Sequence, residues 1–330
     1  MTRLNQVLAG LLVVQLILAA VLFWPRAAGS SGEAGEPLFP GLEADQVVAL
    51  TITGDEGQSI KLARAEGRWV LPEAGDYPVL EANVTTLLQG IAGLEAERRV
   101  TQTSGSHARL QVAGDEFNRR VEIELADGTR HVLYLGSSPS FGAVHVRAEG
   151  QDDVFLTSDL TAENAGVGAT DWVEPTYFSV PSADVVAMTL ENANGTFQFT
   201  KEGEQWTMAG LEGEESLDAT RFQTLLSRTT SVSLVAPLGT EELPEYGLDA
   251  PSAVVSIETA GDAPKTYVLT VGAQDEEDNS YVVKSSESPY YVRVSEFAVN
   301  ELVTRARDAF LVATPTPVPG TPETAGTPGP

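Results

Sequence analysis

The chain has 330 residues, 42% of them hydrophobic, with 47 acidic against 20 basic side chains, a formal net charge of −27 and no cysteine. That charge repels nucleic-acid phosphates and anionic lipid surfaces, and the missing thiols exclude disulfides, thiolate metal sites, cysteine nucleophiles and a lipidated cysteine. The apolar fraction is enough for two domains of ordinary size.

The first element is an uncharged apolar run at residues 7–24, VLAGLLVVQLILAAVLFW. As a helix its eighteen residues span about 27 Å, close to the hydrocarbon thickness of a bilayer. A secretory signal usually has a shorter apolar part and a small-residue cleavage site. Trp24, Pro25 and Arg26 fit that poorly just ahead of Ala27 and Ala28, so residues 1–26 are expected to be an uncleaved anchor. Arg3 and the N-terminal amine precede the run, and Glu33 and Glu36 follow it, which leaves the N-terminus in the cytoplasm and exports the rest. An exported chain without disulfides suits a bacterial envelope. Residues 27–38 read as a linker of Gly, Ser, Ala and Glu.

From residue 39 the text alternates. QVVALTIT at 46–53, SIKLAR at 59–64 and GRWVL at 67–71 predict a meander of strands. The period then changes: Val84, Leu87, Leu88, Ile91 and Leu94 lie at helical spacing on one face, with Gly93 near the end. Strands are predicted again at 107–112, 120–125 and 130–135, the last two joined by Asp127-Gly128, a hairpin signal. Two short strands follow at 143–147 and 153–156, then a partly helical stretch at 158–172.

At Val180 the pattern restarts. Ala44 to Ile52 is echoed by Ala183 to Leu190, Gly67-Arg68-Trp69 by Gly203-Glu204-Gln205-Trp206, Leu87-Leu88 by Leu225-Leu226, Tyr134-Leu135-Gly136 by Thr270-Val271-Gly272, and Val144-His145-Val146-Arg147 by Tyr281-Val282-Val283-Lys284. All keep their order at offsets of 136 to 139 residues, which points to a tandem duplication. The expected fold is therefore α+β: two copies, at 39–175 and 176–312, of a mostly antiparallel sheet with a covering helix, behind one transmembrane helix. Residues 294–310 predict a closing helix with Ser295 as its cap and Phe297, Leu302 and Ala306 along one face. Six prolines with Gly and Thr at 313–330 predict a disordered tail.

The search for chemistry yields little. Of the three histidines, His131 and His145 sit in alternating strand text and His107 opens the strand predicted at 107–112, and no nucleophile-elbow, zincin or P-loop motif is present. Asp152-Asp153 and the acidic run from Asp275 to Asp278 lack calcium-loop spacing and fall in turns. Trp69 and Trp206 hold equivalent places; each is expected to plug the core of its copy, the alternative being a sugar or peptide platform. No catalytic, cofactor-binding or metal-binding residue is assigned. In Tyr246-Gly247-Leu248-Asp249-Ala250-Pro251, Gly247 suits a backbone bend leading into a strand.

With its paired tryptophans, the Leu-Leu helices, the Tyr246-to-Pro251 phrase, the strand-ending Gly136 and Gly272, and the segments 117–123 and 136–142, the chain resembles the family of domain of unknown function 4340 over roughly 39–312. The resemblance implies a membrane helix followed by exported repeats, an association with ABC-type transport components of the kind linked to gliding motility, and no catalytic residues to carry over. The first copy departs from it, having Ser106-His107-Ala108-Arg109-Leu110 where a Tyr-Gly-Leu phrase is sought, so a contact surface built on that phrase would belong to the second copy alone. The expected function is that of a non-enzymatic, single-pass, extracytoplasmic accessory protein with a protein partner, which the resemblance implies to be ABC-type transporter subunits. The competing readings are an envelope carbohydrate-binding protein or hydrolase, and a structural stalk or adhesion module.

Overall fold

The structure, a computed structural model, describes residues 35–261 and 264–312. The apolar run at 7–24 and the Pro-rich tail at 313–330 lie outside the described residues, and no helix among those described is long and apolar enough to cross a membrane. Pro37 already pairs with Glu95, and Leu38 is buried, so packed chain begins within the segment expected to be linker.

The first meander is built as the alternation predicts. β1 (Val47–Gly54), β2 (Ser59–Ala65) and β3 (Arg68–Leu71) pair antiparallel, β2 and β3 through a tight turn in which Glu66 and Gly67 both have positive φ. A two-residue β4 (Tyr77–Pro78) extends the edge. Helix α1 (Glu81–Ala92) turns Val84, Leu87, Leu88 and Ile91 onto the sheet and leaves its other face in water. After β5 (Arg99–Thr101) come β6 (Arg119–Leu125), β7 (Arg130–Leu135), β8 (Val144–Ala148) and β9 (Val154–Thr157). Their order is β4-β3-β2-β1-β6-β7-β8-β9-β5, antiparallel throughout.

Beyond a small ribbon of β10 (Thr176–Ser179) and β14 (Ser231–Ser233), the same plan recurs. β11 (Val185–Asn192), β12 (Gly195–Glu202), β13 (Gln205–Met208), helix α2 (Ala219–Thr230), β15 (Ala236–Gly239), β16 (Ala253–Thr259), β17 (Lys265–Gln274), β18 (Tyr281–Ser285) and β19 (Tyr291–Val294) form a sheet ordered β13-β12-β11-β16-β17-β18-β19-β15. With β4 set aside, strand for strand this is the order of the first sheet. Even an irregularity repeats: the register slips between Val47 and Ala49 where β1 meets β6, and between Val185 and Ala187 where β11 meets β16. Asp218 caps α2 by accepting from the amides of Thr220 and Arg221, and Phe222, Leu225 and Leu226 are buried beneath it.

Two expectations are corrected. Residues 107–112 are not a strand but a chain of turns. Leu110 and Val112 fold back with Val132, Tyr134 and Val154 into a small cluster separate from the main core, which a straight strand could not do. The closing helix α3 is shorter (Glu296–Thr304); Ser295 makes no side-chain cap, and Phe297 is 75% exposed while Val299 and Leu302 carry the buried face.

The turn at 110–112 also revises the apparent loss of the Tyr-Gly-Leu phrase. Leu110-Gln111-Val112 occupies the place of Tyr246-Gly247-Leu248: Gln111 has φ +56° and Gly247 φ +64°. Each turn is pressed against a strand-ending glycine. A Cβ on Gly136 would lie 2.1 Å from the Leu110 carbonyl oxygen, and one on Gly272 2.0 Å from that of Tyr246. Gly136 and Gly272 are therefore required for close approach, whereas Gln111 holds a left-handed conformation costing a non-glycine residue about 1 kcal/mol. Gln111→Gly should stabilise the protein by about 1 kcal/mol, and Gly272→Ala should destabilise it by about 3 kcal/mol, both read from urea-unfolding midpoints. A neutral Gly272→Ala would mean that the turn is not packed as described.

Candidate functional site

A reactive centre needs polar groups that are free to act. His107 Nε2 lies 2.9 Å from the carbonyl oxygen of Asp152, pinning the 107–112 turns to the approach of β9. His131 packs on Phe39, ring centroids 5.3 Å apart. His145 Nδ1 is 2.7 Å from the Ser137 carbonyl oxygen and 3.1 Å from Ser137 Oγ. A carbonyl only accepts, so Nδ1 carries the proton and cannot also take one from Ser137. Ser137 Oγ donates instead to the Leu110 carbonyl at 3.3 Å. This is a strut holding the turn to β8, not a nucleophile and its base.

The acidic clusters are likewise engaged locally. Asp153 lies 3.9 Å from Arg99 and Asp275 2.7 Å from Arg293, while Asp275 and Asp278 accept amides of their own loop. Among the described residues no group of three His, Cys, Asp or Glu is placed to hold a metal ion. Trp69 is 4% exposed, with the Arg64 guanidinium 5.0 Å from its ring centre; Trp206 is half-buried against Phe222 at 4.7 Å. Both rings pack against their own copy's core.

What the sequence did not suggest lies where the two sheets meet. The hydrophobic core runs continuously from the first sheet through Trp172, Val173 and Phe178 into the second. Trp172 donates its indole N–H to the Gly166 carbonyl at 2.9 Å, and its own carbonyl accepts from Leu80 at 2.6 Å, tying the connection to the start of α1. Nearer the surface the backbones touch: a Cβ on Gly75 would lie 3.1 Å from Gly239 Cα. Tyr290, in the β18–β19 loop, packs on Tyr77 with ring centroids 4.6 Å apart and donates to the Asp76 carbonyl at 3.1 Å. Tyr177 donates to the Tyr290 carbonyl at 2.7 Å and accepts from the Ser285 amide at 2.9 Å. Burial, then the neighbouring Tyr177, Tyr290 and Glu174, push the Tyr77 hydroxyl up to about 12, so it stays neutral at any ordinary pH.

A cleft of about 510 Å³ opens beside this seam, lined by Glu66, Arg68, Trp69, Asp76, Glu81 and Tyr290. Its volume falls within the usual range of small-ligand sites, about 300–1,000 Å³. Gly75 and Asp76, both with positive φ (64° and 61°), make the sharp bend that brings Asp76 to the rim. No motif marks the site: its walls come from the β2–β3 turn, the start of α1 and a loop more than 200 residues later.

This is an α+β architecture of two like-ordered antiparallel sheets joined by a single core, with a concave seam between them. Residues 69–238, just over half of the chain, match the family described as Domain of unknown function (DUF4340), and the chain belongs to that family. No curated protein and no solved structure matches it. The matched span begins at Trp69, in the wall of the cleft, and ends in β15, across the seam from it.

Burial pushes the His145 pKa below its ordinary 6.5, the hydrogen bond to Ser137 opposing and Arg109 adding to the push. A lowered folded-state pKa means that the unfolded chain takes up the proton first, so this group's stabilisation is complete above 6.5 and declines as pH falls below it. The unfolding free energy of the native chain should therefore fall relative to that of His145→Gln between pH 7 and 5. A constant difference between the two titrations would show that the ring is not buried as described.

Proposed function

We propose that the protein is a non-enzymatic, membrane-tethered accessory protein whose two exported copies, products of a tandem duplication, bind a partner of the ABC-type transport class. The run at residues 7–24 acts as the tether, with the N-terminus in the cytoplasm and residues from 39 onward outside. One observation carries the non-enzymatic part: the three histidines, both equivalent tryptophans and, in the acidic clusters, Asp153, Asp275 and Asp278 are each held in a structural contact. The shared strand order of the two sheets supports the duplication, and the core that fuses them supports a rigid binding body over two loosely hinged modules. The transport class comes from the family resemblance alone.

Crosslinking the full-length protein in its native membrane, then identifying what is joined to the exported copies, tests the reading. Permease subunits, with their ATPase carried along, are the expected catch. Recovery of the protein alone, or of envelope glycans, would refute the transport association.

A further inference from the structure

We propose that the cleft at the seam binds an organic cation, an ammonium or guanidinium group, seated against the Tyr290 ring and the edge of Trp69 within the carboxylates of Glu66, Asp76 and Glu81. The inference rests on the reading of this protein as a binding protein and names the chemistry of that binding.

Three observations converge. The cleft is a true concavity of ligand size, about 510 Å³, with walls that do not need to be organised by the ligand: Trp69 is packed into the first sheet, and Tyr290 is fixed through its hydroxyl, its carbonyl and its ring. A half-exposed tyrosine ring held in this way offers its negative face to a cation. The charge around it is unspent. Among the described residues none of Glu66, Asp76, Glu81 and Arg68 is in an ion pair or gives its side chain to a hydrogen bond, unlike Asp275 and Asp278. Three carboxylates against one guanidinium leave the cleft negative on a chain of net charge −27, so cations are drawn toward it and anions turned away. A small inorganic cation must give up tightly held water before it can use the aromatic wall. An alkylammonium or guanidinium uses both the ring and the carboxylates.

That cation can be a free small molecule or an Arg or Lys side chain of a partner, and titration of the full-length protein in detergent separates the two. Calorimetry with arginine amide, putrescine, capped Gly-Arg-Gly and its Gly-Gln-Gly control reads the binding. Arginine amide and Gly-Arg-Gly should bind, and Gly-Gln-Gly should not. Glu66→Gln and Asp76→Asn should each weaken binding about threefold to fivefold, the scale of an exposed ion pair, with further loss in 0.5 M salt. Both positions are exposed, so the variants should unfold at the native midpoint, which confirms that any loss is local. Tighter binding of the capped peptide than of the amide assigns the site to a partner's side chain; equal or weaker binding assigns it to a free cation. Absence of binding by every cationic probe at millimolar concentration, or binding unchanged in both variants, would overturn the proposal. Its failure is distinct from failure of the transport reading: transporter subunits captured by a protein that binds no cation leave that reading standing, and cation binding without their capture leaves the cleft standing.

Discussion

Each half of the molecule depends on one non-local pairing. β1 lies against β6, and β11 against β16, over seven register positions apiece, with the covering helix intervening in sequence. On one side lies a simple meander and on the other a meander closed at its edge by β5 against β9, or β15 against β19, and neither group alone can bury one face under a helix. The central pair makes a single sheet of them. Loop closure across the intervening 60-odd residues costs entropy that grows only slowly with length, and the return is a continuous apolar floor on which Leu87 and Ile91, or Phe222 and Leu225, become fully buried. At about 1.5–3 kcal/mol per large apolar side chain removed from water, a handful of such residues offsets the closure.

The same constraint explains which parts of the repeat were legible in sequence. Positions facing the floor kept their character, so Val47, Leu50 and Ile52 reappear as Val185, Met188 and Leu190, and the helix anchors recur at the same spacing. Away from the floor the copies diverged freely. Arg147 and Lys284 keep only a positive charge over a tyrosine ring, and the ring itself comes from β7 in the first copy and β19 in the second. The turn at 110–112 was misread as strand because Leu110 and Val112 alternate as strand residues do. Its real determinant is backbone close approach to Gly136, which gives no periodic signal. Phe297 likewise had the spacing of a buried helix residue, but it lies under the Arg228 guanidinium at the surface.

The candidate site was not legible at all, for a different reason. Glu66, Arg68, Asp76 and Glu81 are ordinary turn and helix-start residues by composition, and Tyr290 belongs to the other copy. They become a site only through the contact of Gly75 with Gly239 and of Tyr77 with Tyr290, at a seam where the two halves contribute different edges. The loop after β13, where β3 in the first copy is followed by Gly75 and Tyr77, runs instead through Gly210, Gly213 and Glu215, with Glu215 clamped by Arg307 and Gly210 bonded through the same guanidinium. The equivalent edge of the second sheet is thus occupied by the C-terminal segment.

That asymmetry bears on how a protein built of two like-ordered halves acquires specificity. Two copies of one fold offer two similar surfaces, and similarity alone discriminates nothing. A seam between them is unique in the molecule, because each copy contributes a different edge: the β2–β3 turn from one, the β18–β19 loop from the other. Since the core passes through the seam without interruption, the two edges cannot hinge apart without exposing Trp172 and Phe178, and the geometry of Tyr290 over Asp76 is held by the stability of the whole body. Recognition at such a place loses little to ordering the protein. A weak set of exposed charges around a fixed aromatic wall therefore suffices for selectivity there, where the same charges on a mobile loop would not.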